Sequence, residues 1–498
     1  MNKNLIRLVK DTSIYGTGSV LTKIISFLLL PVYTHYLSPA DYGVLESIRV
    51  FSGLLILIFT LGIPSGMLRY FYIADSQPEK GKVIFTALSL VVVSTGIILI
   101  PAAFLSRFIS QILFKTTMYH CVLLLALLGI MINPIQNLVE QVYQMYHQPQ
   151  KYLVLMILRA IINPLLTILF VVIIEKGVLG VQISNTLGMV ILLCFAYFYF
   201  TRDKLTFSFS WQWAKKMFIY GMPMIGGGLA YWIYDVSDRF FILHYKNLSE
   251  IGYYSIGNSF ALPIAFLNQA LIMALSPMIL SSYESEKNPD KPETKLFLIS
   301  AWKTYLLIAL SVTICLSFFS EELLKIATTK AYLPAVALIP IICFISIFSQ
   351  SSQMLGGGMA YKEKSLPYMW IMVITAGINT VLNFLFIPKI GVMGAVLATL
   401  ITQLIYLIVL TYFSQKAFRV HYDFKKNSLY ITISLLISII FPFLFIYKGL
   451  SFHITLKILC TILIIPFLPL SLKIIRFSDI KYGFIEVTNY FRQFSSKK

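Results

Sequence analysis

Charged residues inside long apolar runs are the first features of this sequence that could do chemistry. Lys23 lies near the middle of the first run, about ten residues or roughly 15 Å along a helix from either end. At that depth we expect Lys23 to face a water-filled cavity, the alternative being a side chain that snorkels to the interface. Arg49 in the second run and Arg239 in the seventh are the other candidate cations for binding an anionic substrate.

Acidic residues accompany two of these cations. Glu46 lies three residues before Arg49, and Asp235 lies four residues before Arg239, spacings at which helical side chains form ion pairs. Two interpretations stay open for each pair: a structural pair that anchors a helix end, or a group that gates the substrate or couples an ion. Asp235, Asp238 and Glu46 are the candidates for that coupling or gating role.

Other polar residues within the runs are weaker candidates. Arg159 and Lys303 lie one or two turns inside the cytoplasmic edge, where snorkelling accounts for them and a substrate role is secondary. Amides in the runs commonly hold helices together, although several amides facing a lumen would suit sugar hydroxyls. These amides are Asn133, Asn137, Asn163, Asn258, Asn268, Gln269, Gln350, Asn379 and Asn383.

The elements that carry these residues are membrane-spanning helices. The 498 residues are 58% hydrophobic and only 12% charged, with a mean hydropathy of +0.80, which excludes a large soluble catalytic domain. Period-2 alternation is absent, which excludes an outer-membrane barrel. The sequence predicts an all-α polytopic protein of fourteen spans, centred near residues 22, 57, 94, 129, 163, 189, 224, 265, 307, 345, 375, 402, 437 and 464.

The distribution of Lys and Arg orients the spans. Basic residues cluster at the N-terminus, in alternate loops and in the C-terminal tail, whereas the loop at 37–43 contains none. The positive-inside rule therefore places both termini in the cytoplasm, as an even number of spans requires. This distribution also explains the net charge of +19 without nucleic acid.

The chain repeats itself. Residues 175–181 (EKGVLGV) match 389–395 (KIGVMGA) at an offset of 214. Parallel repeats are typical of transporters that move two bundles about a midplane site. We therefore predict two six-helix bundles, at 1–204 and 205–420, followed by two further helices and a basic tail at 421–498.

Motifs for catalysis or cofactor binding are lacking in the sequence. The six histidines have no metal-ligand spacing, and no Walker A or G-x-S-x-G motif occurs. We therefore expect no enzymatic activity, no metal and no bound cofactor. Without a nucleotide site, uphill transport would draw on a gradient, with proton or sodium coupling as the open options.

Six short motifs are spread over nearly the whole chain: residues 15–18 (YGTG), 37–43 (LSPADYG), 177–180 (GVLG), 237–240 (SDRF), 252–255 (GYYS) and 391–394 (GVMG). In their residues and their order they resemble the bacterial polysaccharide repeat-unit flippases, of O-antigen or capsule type, within the multidrug/oligosaccharidyl-lipid/polysaccharide exporter superfamily.

The resemblance implies a substrate and a setting. The substrate would be an oligosaccharide repeat unit on undecaprenyl pyrophosphate, flipped across the bacterial inner membrane through a central cavity between two bundles. It also implies membrane lipid, a polysaccharide polymerase and a chain-length regulator as partners. The alternatives are a lipid II flippase, an ion-coupled multidrug exporter of the same superfamily and, less well supported, a membrane glycosyltransferase or polymerase.

Overall fold

The computed structural model describes residues 24–198, 204–285, 292–359, 365–448 and 454–474, apart from 26, 358 and 473. The predicted all-α class is confirmed, since these ranges contain helices and no strand. Nine helices in them are long and apolar enough to cross a membrane, or ten if one bent pair counts as a span. The total of fourteen stays a prediction, as do the domain boundaries, because most of the first apolar run lies outside the described residues.

The N-terminal half consists of helices that run up and down through long apolar segments. They are α1 (Leu30–Tyr36), α2 (Pro39–Phe59), α3 (Ile63–Ile73), α4 (Gln77–Phe104), α5 (Ser106–Phe114), α6 (His120–Met145), α7 (Pro149–Thr167) and α8 (Gly177–Ala196). A π-helical turn, Ile168–Ile173, extends α7.

The C-terminal half has the same alternation of long helices. They are α9 (Trp211–Tyr245), α10 (Leu248–Ser285), α11 (Pro292–Phe318), α12 (Ser320–Ala327), α13 (Ile339–Leu355), α14 (Ser365–Ile390), α15 (Val392–Ala417), α16 (Phe424–Lys448) and α17 (Ile454–Ser471). A 3-10 helix, Lys330–Ala337, precedes α13.

Local signals determine where α2, the helix that carries Glu46 and Arg49, begins and ends. At its start, Asp41 N–H donates to Ser38 Oγ over 3.2 Å and Ser38 N–H donates to Asp41 Oδ2 over 3.1 Å, a reciprocal capping box. At its end, Leu61 and Gly62 adopt positive φ of 50° and 66° and interrupt the helix. The second apolar run is therefore two helices, α2 and α3, rather than the single span predicted.

The backbone follows the sequence repeat. Gly177 and Gly391 have φ of +53° and +61° and stand at the starts of α8 and α15. Two short amphipathic helices, α5 and α12, also occupy matching places after α4 and α11, and hydropathy did not reveal them. The two halves therefore share details of local structure as well as helix order.

The halves meet along the second span and the helices α9 and α10. Helix α2 packs along α10, and α3 packs against α9. The last helix joins the C-terminal half through Lys457, whose Nζ lies 2.6 Å from Glu322 Oε1 on α12. Helices α6 and α8 pack together on the other side of α2, which leaves space between these three helices and α1.

Candidate functional site

The space between α1, α2, α6 and α8 is a cavity of about 490 Å³ inside the N-terminal half. Its volume lies in the range of about 300–1,000 Å³ that is usual for small-molecule sites. Apolar side chains form most of the wall, and a few polar groups converge on the space. Those polar residues are Tyr33, Tyr42, Glu46, Arg49, Ser52, Asn133, Gln182 and Asn185.

An ion pair between Glu46 and Arg49 forms one wall of this cavity. Arg49 Nε donates to Glu46 Oε1 over 2.8 Å and to Oε2 over 3.0 Å, and Nη2 also donates to Oε1. The Glu46 side chain is only 13% exposed, whereas that of Arg49 is 66% exposed. Since a guanidinium carries five N–H donors, Arg49 keeps donors for a ligand while Glu46 holds its position.

A second charged group lies in the C-terminal half and is enclosed. Arg239 Nη1 lies 3.0 Å from Asp238 Oδ1 and donates over 2.6 Å to the backbone carbonyl of Asp235. Tyr254 stacks against this guanidinium, with 4.9 Å from Arg239 Cζ to the ring centroid, and its hydroxyl donates to Asp238 Oδ2. Asp238 and Arg239 are 4% and 8% exposed. Arg239 is thus a buried structural partner of Asp238 in this structure, with little surface open to a cavity.

The sequence spacing predicted a different partner for Arg239. The carboxylate paired with it is that of Asp238, while Asp235 contributes its main-chain carbonyl and has an exposed side chain. The charges of Asp235 and Arg239 nevertheless act on Arg49 across the contact between the two halves. Glu46, Arg49, Asp235 and Arg239 therefore lie within reach of one another's charges.

The remaining predicted site residues lie elsewhere. Arg159 on α7 forms an ion pair with Glu140 on α6, a partner that the sequence did not indicate. Lys303 is partly buried near Asp423 at the start of α16. Hydrogen bonds from Lys426, together with the charge of Lys303, lower the pKa of Asp423. Lys23 lies outside the described residues.

Amides in the C-terminal half connect helices rather than line open space. Asn383 Nδ2 donates to Asn379 Oδ1 over 2.9 Å, and Ser237 Oγ donates to the same atom over 3.3 Å. Asn268 Nδ2 lies 2.5 Å from Gln350 Oε1. The Ser237–Asn379 and Asn268–Gln350 contacts join different helices, which fits the interpretation of amides as interhelical contacts, whereas Asn379 and Asn383 both lie on α14.

Two amides in the cavity escaped sequence reasoning. Gln182 and Asn185 lie one turn apart on α8 and face the same space as Asn133. Their spacing of three residues was the available signal. Among the described residues, no group of three or more His, Cys, Asp or Glu side chains could hold a metal ion.

The fold is shared with solved membrane transporters. The structure superposes on the lipid II flippase MurJ in an inward closed conformation, with a TM-score of 0.68 and 18% identity over 91% of this chain and 97% of that one. An inward-facing multidrug resistance MATE family transporter of the MOP superfamily gives a TM-score of 0.63 and 15% identity, over 83% of this chain and 98% of the other.

The sequence comparisons are more specific. Residues 8–283, more than half of the chain, match the family model described as "Polysaccharide biosynthesis protein", and the chain belongs to that family. Residues 223–385 match the MatE model. A protein of Haemophilus influenzae, "Lsg locus putative protein 1", is 23% identical over 57% of this chain and 68% of its own length. The protein is therefore a multi-pass membrane protein of the polysaccharide biosynthesis family, with a fold shared by MurJ and MATE transporters.

Proposed function

We propose that this protein flips undecaprenyl-pyrophosphate-linked oligosaccharide repeat units from the cytoplasmic to the outer leaflet by alternating access. The carrying observation is Arg49, whose guanidinium lies open in a membrane-embedded cavity while Glu46 holds it in place. A pyrophosphate is an anion with many acceptor oxygens, and a guanidinium binds such groups in a bidentate manner. The match to a polysaccharide biosynthesis family supports a saccharide-bearing substrate.

Glu46 gives the cavity a way to release as well as bind an anion. Because Arg49 already has a carboxylate partner, a substrate that binds its remaining donors competes with Glu46 for the positive charge of the guanidinium. The bound pyrophosphate leaves Glu46 less neutralised, which favours binding of a proton or another cation. Glu46, Asp235 and Asp238 are the groups through which proton or sodium coupling would act. No catalysed bond cleavage is part of this cycle.

The hydrophobic part of the substrate has a separate place in the proposal. The prenyl chain stays in lipid while the pyrophosphate and saccharide enter the cavity, since an apolar chain has no reason to leave the bilayer. Lys23, from its position in the sequence, adds a second cation for the pyrophosphate. The basic loops support the proposed location in the bacterial inner membrane with both termini in the cytoplasm, and a polymerase and a chain-length regulator are the expected partners.

The alternatives differ in what they require of the cavity. A multidrug exporter of cationic compounds needs an acidic cavity, whereas the pair in this cavity includes an accessible arginine. A lipid II flippase also transports a pyrophosphate-linked saccharide, so Arg49 would suit either substrate. Only the identity of the glycan distinguishes the two functions. A glycosyltransferase or polymerase would act on the same lipid, and would leave its glycan incomplete or unpolymerised when absent.

A vesicle assay with Arg49 variants tests the proposal. Purified protein in liposomes is supplied with lipid-linked saccharides extracted from cells that lack it, and their transfer between leaflets is measured. We expect Arg49→Ala to lower transfer by about 10- to 100-fold, the usual effect of losing hydrogen bonds to a charged group, and Arg49→Lys to retain part of it. The matched control is Arg69→Ala, since Arg69 lies outside the cavity against the Tyr220 ring. Equal transfer by Arg49→Ala and wild type would contradict the proposal.

A further inference from the structure

The cavity wall formed by α6 and α8 carries three carboxamides. They are Asn133 on α6 and Gln182 and Asn185 on α8. The wall formed by α2 carries the charged pair, so the polar groups of the cavity are divided into an ionic side and a neutral amide side. This division suggests two subsites for two chemically different parts of one ligand.

Most of the hydrogen-bonding capacity of these amides is directed at the cavity. Asn133 Oδ1 accepts a hydrogen bond from Asn137 Nδ2 over 2.9 Å, which fixes the orientation of the Asn133 amide. The N–H groups of Asn133 are then available to donate to a ligand. Gln182 and Asn185 make no side-chain hydrogen bond to any part of the chain that the structure describes. Gln182 is only 8% exposed as a residue. Its amide oxygen and nitrogen are nevertheless not among the fully enclosed side-chain atoms that lack a hydrogen-bond partner. Its amide atoms therefore open onto the cavity.

The neighbouring residues leave room for a ligand beside Gln182. Gly129 on α6 faces it, and a Cβ added at Gly129 would lie 3.7 Å from Gln182 Nε2, an ordinary contact. The absence of a side chain there keeps the amide accessible. Buried polar groups are nearly always satisfied, so the amide of Gln182 calls for water or a ligand with both donors and acceptors, and the partly buried Asn185 lies one turn away.

We propose that Asn133, Gln182 and Asn185 form a saccharide subsite that binds the hydroxyl groups of the sugar nearest to the pyrophosphate. The inference rests on the proposed function, because the pyrophosphate is placed at Arg49 across the cavity. A carboxamide offers a donor and an acceptor side by side, which matches the donor and acceptor character of neighbouring hydroxyls. The amides carry no charge, so they add recognition of the sugar without strengthening the hold on the pyrophosphate.

The test compares binding of two probes by the full-length protein in detergent. One probe is undecaprenyl pyrophosphate, and the other is the pool of lipid-linked saccharides extracted from cells lacking this protein. We expect Gln182→Leu and Asn185→Ala each to weaken binding of the saccharide-bearing probe by about tenfold, the effect of a lost hydrogen bond in a closed site. Binding of undecaprenyl pyrophosphate should stay within about twofold of wild type, because these amides contact only the sugar.

Control variants distinguish a failure of the saccharide subsite from a failure of the proposed function. Leu187 lies on the same helix and its exposed side chain is outside the cavity, so Leu187→Ala should leave the affinity for each probe unchanged. Arg49→Ala should weaken the binding of both probes. Equal losses for both probes in Gln182→Leu and Asn185→Ala, or no loss for either, would overturn the saccharide subsite while leaving the proposed function intact. Wild-type protein that binds neither probe would overturn both. Asn185 is only partly buried, so its variant tests the inference if Gln182→Leu does not fold.

Discussion

Gly43 and Leu248 bring the backbones of α2 and α10 into direct contact, because a Cβ at Gly43 would overlap the Leu248 carbonyl group. The same relationship recurs with the roles exchanged, since a Cβ at Gly252 would overlap the carbonyl group of Pro39. Pro39 and Leu248 each lie four residues before the glycine of their own helix. This double contact closes the two halves together just beyond the cavity residues Tyr42 and Glu46.

Opening this contact should expose the cavity. We expect Gly43→Ala to force α2 and α10 apart, because the new methyl group would meet backbone, which cannot rotate away. The measurement is the rate at which a membrane-impermeant maleimide outside the cell labels a cysteine at the cavity residue, Ser52→Cys, in a variant whose five native cysteines are replaced. Labelling should become several-fold faster.

Gly96→Ala is the matched control for this experiment, since no atom lies within 4 Å of a Cβ added at Gly96. It should label at the rate of the parent protein. Unchanged labelling in Gly43→Ala would mean that this contact does not close the outer side of the cavity.

Glu46 should act as a competitor for the substrate. We expect Glu46→Gln to strengthen binding of undecaprenyl pyrophosphate by about two- to fivefold, the usual size of a partly exposed ion pair. Equilibrium binding in detergent at low salt gives the measurement. The control is Glu79→Gln, which disrupts an equally spaced pair with Lys82, 3.1 Å away and outside the cavity. Weaker binding in Glu46→Gln would show that the acid supports the anion rather than competes with it.

The buried pair of Asp238 and Arg239 should be a stability element. Asp238→Asn leaves the Arg239 charge enclosed without its partner, which we expect to cost about 3–5 kcal/mol of unfolding free energy. Thermal unfolding in detergent would register this as a large fall in Tm. Asp235→Asn, at an exposed carboxylate on the same helix, should have little effect. A Tm in Asp238→Asn equal to that of wild type would contradict the structural role.

Much of the fold could be predicted from hydropathy because a membrane requires each span to be apolar along its own length. The pairing of Glu46 with Arg49 could be predicted as well, because residues three apart on a helix lie side by side. The pairing of Arg159 with Glu140 could not be predicted, since it depends on how α6 and α7 pack. Gln182 was missed because its spacing with Asn185 indicates a shared helix face but not whether that face lines a cavity.

Lys204, in the segment that joins the halves, should make the stability of the protein depend on pH. Burial, together with the charge of Lys151, lowers the pKa of Lys204 to about 8. The unfolded chain keeps the ordinary pKa of about 10.4, so between these values it binds more protons than the folded protein and stability rises with pH. We expect the Tm of wild type to rise from pH 7.5 to 9.5 relative to that of Lys204→Met.

The matched control for that measurement is Lys216→Met. Lys204 lies 3.7 Å from the centroid of the Tyr146 ring, and Lys216 makes a comparable contact at 4.5 Å with Trp213. The control should keep the wild-type dependence on pH. Parallel curves for wild type and Lys204→Met would show that Lys204 does not titrate in this range.

The most direct test of the proposed function is to analyse lipid-linked saccharides, by extraction and mass spectrometry, in cells that lack this protein. The account predicts that one complete repeat unit accumulates on undecaprenyl pyrophosphate and that surface polysaccharide is lost, with rescue by wild type but not by Arg49→Ala. An unchanged lipid pool with new sensitivity to cationic drugs would contradict it in favour of a multidrug exporter. Incomplete glycans on the lipid would contradict it in favour of an enzyme.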